Sequence, residues 1–77
     1  MADHRFHMTL HAEGIPRPLD LGWPLSLALG QKQARGDMKS RGGEPTADWS
    51  VTAAADGDEW FLPTTCGGYV ITAVTAP

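Results

Sequence analysis

Apolar and polar residues alternate from Arg5 to Glu13. Phe6, Met8, Leu10 and Ala12 fall on one side, and Arg5, His7, Thr9, His11 and Glu13 on the other. A period of two belongs to a strand with one buried face, so the pattern predicts a half-buried strand that Gly14 ends. The next stretch, Gly14 to Pro24, holds three prolines and two glycines. Fixed φ angles and missing donors predict a stiffened loop there.

From Leu25 to Lys39 two periods compete. Leu25, Leu27 and Leu29 alternate as in a strand, whereas Gln31-Lys32-Gln33-Ala34-Arg35 prefers helix. Pro24 suits a first helical position and Ser26 a cap, while Gly30 and Gly36 weaken a helix. The balance favours a short helix from about Leu25 to Arg35, with a strand as the competing reading. Arg41 to Thr46 reads as a linker or turn.

Alternation returns at Asp48–Ala54, where Trp49, Val51 and Ala53 share a side. Ala55-Asp56-Gly57-Asp58 is a turn, since Asp-Gly between alternating segments is a strong hairpin signal. Glu59–Leu62 is the return strand, expected to stop at Pro63. Cys66-Gly67-Gly68 is the next turn. Tyr69–Thr75 is a last strand, apolar on both sides and so expected to be central. The order predicts a single α+β domain over residues 1–77: a small antiparallel sheet of four to five strands with at most one short helix.

Length sharpens this picture. A chain of 77 residues buries only about 60–65% of its unfolded surface, so its stability margin is thin. With one cysteine, Cys66, no internal disulfide can form, which excludes a secreted disulfide scaffold. No run of about 18 apolar residues and no leader pattern stand in the chain; the expectation is a cytoplasmic protein with no membrane partner.

Charge changes the picture more. All six lysines and arginines lie in residues 1–41, against four carboxylates, for a net +2. Residues 42–77 carry Glu44, Asp48, Asp56, Asp58 and Glu59 and no lysine or arginine, for a net −5. One-signed surfaces steer charged partners. Asp56, Asp58 and Glu59 fall at the expected hairpin tip, followed by Trp60, with Asp48 and Trp49 on the partner strand. Acids around an aromatic make a candidate contact for a basic groove, with Asp48, Asp56, Asp58, Glu59 and Trp60 as binding residues. The competing reading makes the tryptophans core and the acids solubilising. An alternative site is Lys32, Arg35, Lys39 and Arg41, four basic groups in ten residues that would contact nucleic-acid phosphates. Its competing reading is a solvated helix face.

Other chemistry finds little support in the spacing. His7 and His11 would share a strand face about 13 Å apart, too far for one metal ion. Cys66 beside two glycines lacks a family signature for a nucleophile, and its simpler reading is a small residue at a tight turn. Asp56-Gly57-Asp58-Glu59 lacks the spacing of a calcium loop. No phosphate-binding fingerprint is present. The expectation is a protein that is not an enzyme and uses no cofactor or metal.

Small, acidic and without a catalytic constellation, the chain resembles the phage-encoded inhibitors of bacterial defence, such as anti-CRISPR proteins. The resemblance is one of character across the whole chain, and it carries over no site residue. It implies a non-enzymatic inhibitor in the host cytoplasm that binds a larger protein or ribonucleoprotein through a basic surface and blocks nucleic-acid binding. The alternatives are a small nucleic-acid-binding module using the 32–41 segment and a self-assembling phage structural protein. The sequence leaves the oligomeric state open.

Overall fold

The N-terminal alternation becomes strand β1, His4–His11, in a computed structural model that describes residues 4–54 and 57–75. Met8 and Leu10 are buried and Phe6 is half-buried on one side. His7 and Thr9 lie on the other. The remaining elements are β2 (Leu19–Gly22), helix α1 (Leu27–Ser40), β3 (Ser50–Ala54), β4 (Gly57–Thr64) and β5 (Gly67–Thr75). The strands form one antiparallel sheet in the order β2-β1-β5-β4-β3. The expected small α+β architecture is what the chain adopts.

β5 is central, flanked by β1 and β4, as its two apolar faces require. Tyr69 and Ile71 are fully buried under the helix, and Ala73 is nearly so. The helix packs on β5 and β1 and covers a core of Met8, Leu10, Ala34, Met38, Leu62, Tyr69 and Ile71. The opposite face of the sheet has no helix over it among the described residues.

The helix is longer and later than the expected Leu25–Arg35. Ser26 caps it, its hydroxyl accepting from the Leu29 amide at 3.2 Å. Gly30 does not break it, because the missing side chain is what lets the helix seat. A β-carbon there would come within 2.9 Å of Pro24 and 3.0 Å of Ile71. Gly42 has φ +72°, and the amides of Gly42 and Gly43 bond the carbonyls of Lys39 and Met38. This is a Schellman ending, so the expected Arg41–Thr46 turn begins as the stop of the helix and goes on towards β3.

Two further differences have local causes. The proline-rich stretch contains β2, a strand of four residues that pairs with β1 across an irregularity at Met8/Thr9. Pro63 lies inside β4 instead of ending it. β3 begins only at Ser50, opposite Phe61, so no β3 residue stands beside Pro63. The Pro63 carbonyl accepts from Thr46 instead, at 2.9 Å. The last turn is Thr65-Cys66, and Gly67 already belongs to β5.

Candidate binding surfaces

Residues facing each other across antiparallel strands share a face. Val51 pairs with Trp60, and Trp60 with Ile71, which places Val51, Ala53, Asp58 and Trp60 on the helix side. Thr52 pairs with Glu59, and Glu59 with Thr72; Phe61 pairs with Val70. These lie on the open side. β3 and the hairpin half of β4 therefore form a two-faced wing beyond the helix. Asp58 and Glu59 are exposed on opposite faces of it. The Thr72 hydroxyl lies 3.5 Å from Glu59 Oε1 and donates to it.

Each face of the wing also shows an apolar side chain to solvent. Val51 is 61% exposed on one side and Phe61 41% on the other. The Phe61 ring lies across Gly68, in space any β-carbon would occupy. Trp60 is half-buried and meets Phe6 edge-on, with ring centroids 6.1 Å apart. Trp49 packs against the core with its indole nitrogen buried and unbonded among the described residues. Both tryptophans are thus largely structural, and neither is a free anchor.

The expected acidic cluster comes together only in part. Asp58 and Glu59 flank the hairpin, and Asp56 lies outside the described residues. Asp48 precedes β3 and sits five residues, about 17 Å of extended chain, from Ala53, the partner of Asp58. It rims a cleft of about 250 Å³ with Arg35, Lys39, Met38 and Leu62, beside the basic helix.

Lys32, Arg35 and Lys39 are exposed on α1 and share a shallow depression of about 480 Å³ with Ala28, Gln31 and Gly36. Arg41 is exposed as well, and its Nε donates to Asp37 Oδ2 at 2.6 Å, whereas Lys32, Arg35 and Lys39 have no ion-pair partner among the described residues.

Two arrangements were invisible in the sequence. Asp37 also accepts from the buried Tyr69 hydroxyl, at 2.5 Å. Burial pushes the Asp37 carboxyl up, but Arg41 and Tyr69 together outweigh it and hold it below the usual carboxylate range. Burial first, then the Asp37 carboxylate, drives the Tyr69 phenol well above its usual range. Cys66, a free thiol, is half-buried near this group, 3.3 Å from Thr64 Oγ1 and 3.9 Å from the Tyr69 hydroxyl.

The second is at the β2 edge. His7 Nε2 and Asp20 Oδ1 are 3.0 Å apart, Asp20 accepts from the Gly22 amide at 2.8 Å, and Trp23 stacks on His7 at 4.5 Å. The Gly22 amide and His7 hold Asp20 below its ordinary value. Trp23 and Leu25, which are 56% and 90% exposed, line a cleft of about 350 Å³ with Arg5, Phe6 and Pro24.

Among the described residues no group of three or more histidine, cysteine or acidic side chains is placed to hold a metal. Among the described residues no helix is long and apolar enough to cross a membrane. Compared with protein-family models, curated proteins and solved structures, the chain matches none.

Proposed function

We propose that this protein is a small protein-binding inhibitor whose β3–β4 wing engages a basic, nucleic-acid-binding surface of a larger protein or ribonucleoprotein. It would act as anti-CRISPR-type inhibitors do, by occupying the surface that nucleic acid needs. The observation that carries this reading is the separation of charge in space. The wing is built entirely from residues 42–77, a segment without lysine or arginine. The outward cations Lys32, Arg35 and Lys39 stand on the helix instead. Carboxylates on both faces of the wing steer a basic partner, and Val51 and Phe61 add short-range apolar contact once it arrives.

A second reading rests on the helix. Lys32, Arg35 and Lys39 span eight residues, about 10 Å along one helix, and would contact a few phosphates with salt-sensitive affinity.

The experiment is a comparison of three baits in a nuclease-treated bacterial lysate: the native protein, Asp58→Lys/Glu59→Lys, and Lys32→Glu/Arg35→Glu/Lys39→Glu. Expected is one nucleic-acid-handling complex retained by the native and helix-reversed baits and lost from the wing-reversed bait. Retention by the wing-reversed bait with loss from the helix-reversed one would overturn the proposal in favour of the second reading.

A further inference from the structure

An antiparallel sheet has two edges, and exposed edges are normally blunted against stray pairing by prolines, charges, bulges or brevity. The β2 edge carries three such devices. It is four residues long, it follows Pro16 and Pro18, and its register with β1 is irregular. The β3 edge has no proline, charge or irregular register. Ser50, Val51, Thr52, Ala53 and Ala54 include no proline and no charge, and they pair with β4 in an unbroken register of five. The outer side of β3 has no strand against it among the described residues.

Two charges stand one strand further in. Asp58 is directly across from Ala53 on the helix side, and Glu59 directly across from Thr52 on the open side. Both rail residues are small. A strand added outside β3 would stand two strand spacings from β4, about 9.6 Å. A lysine or arginine on that strand could lay its stem over Ala53 or Thr52 and bring its head to the carboxylate behind. Successive residues of a strand point to opposite faces, so a consecutive basic pair would meet Asp58 with one side chain and Glu59 with the other.

We propose that β3 is a docking edge that takes an extended segment of the partner as a sixth strand, and that the segment is recognised by two consecutive basic residues. This rests on the reading of the wing as the surface for a basic partner and adds the mode of contact: backbone pairing for affinity, paired carboxylates for specificity. A second copy of the chain is a poorer occupant. Joining two β3 edges would leave the nearest carboxylates of the two copies three strand spacings, about 14 Å, apart, with no lysine or arginine in residues 42–77 to meet them.

The test uses the full chain and a fluorescent synthetic peptide, Val-Thr-Lys-Arg-Thr-Val, followed by anisotropy. Controls are the same peptide with either set of alternate backbone nitrogens methylated, and a version with Ser-Ser for Lys-Arg. Expected is a loss of about tenfold or more in affinity in three cases: one methylation phase, the Ser-Ser peptide, and Asp58→Asn/Glu59→Gln protein. The amides of β3 should gain hydrogen-exchange protection with the native peptide, and thermal melting should confirm that the variant is folded. Equal binding of both methylated peptides, with the neutralised protein still weakened, would overturn strand addition and leave the wing reading standing. Equal binding to native and neutralised protein would remove the wing acids themselves. Two other results would also overturn the proposal: no binding up to about 1 mM peptide, or a dimer of the free protein, protected at β3, that the peptide does not dissociate.

Discussion

Tyr69 has no exposed surface, and its hydroxyl points at the Asp37 carboxylate. A hydrogen bond to a charged acceptor contributes more than a neutral one, so Tyr69→Phe is expected to cost about 2 kcal/mol in urea unfolding. Substituting the exposed Arg41 by alanine should cost less than half of that, because an exposed i,i+4 pair contributes little. Gly30 shows the same dependence on neighbours. Gly30→Val would drive methyl groups into Pro24 and Ile71 and is expected to cost about 1–3 kcal/mol by calorimetry or urea melts, although valine in place of an isolated helix glycine would ordinarily gain stability. Burial was legible where alternation was strict: Met8 and Leu10 are buried on the side their spacing assigns. It was not legible for Trp23, Leu25 and Val51, which belong by type to a core. The helix leaves them outside, because a chain this short has too little second layer to cover a five-stranded sheet.

At the scale of elements, the helix is fastened to the sheet by the Asp37 carboxylate as well as by apolar packing. A carboxyl whose pKa is lowered on folding contributes stability that is fully present above its unfolded value, near 3.8 here, and is lost as pH falls through the lower folded value. Melting temperature of the native protein should therefore fall on acidification below about pH 4, with Asp20 at the β2 edge adding in the same direction. Asp37→Asn should melt lower at neutral pH and lose part of that acid dependence. An unchanged acid slope would mean that Asp37 does not couple to folding. Elements were legible in proportion to their length and regularity. The β1 alternation and the two-sided apolar pattern of β5 placed both strands. β2 was hidden because four residues between prolines show no period, and the second half of α1 because Gly36 and Asp37 read as poor helix formers. Gly36 has open space around it, and Asp37 gains tertiary partners that no local pattern reveals.

For the whole molecule, the charge split along the chain becomes a split in space, since residues 42–77 build β5, β4 and the edge strand β3 while the basic segment forms the helix. That much of the candidate surface was legible from composition alone. Its shape was not: strand alternation sends Asp58 and Glu59 to opposite faces, and Asp48 falls beside Arg35 and Lys39 instead of joining them. The central claim is that the acids of the wing steer a basic partner. It is tested most directly by the association rate with the protein that the native bait retains, measured from about 50 to 500 mM salt, where the screening length shrinks from more than 10 Å to a few Å. The native rate is expected to fall by about tenfold or more over that range, and the Asp58→Lys/Glu59→Lys rate to start low and stay flat. A native rate indifferent to salt, or a wing-reversed protein that associates as fast as the native one, would contradict it.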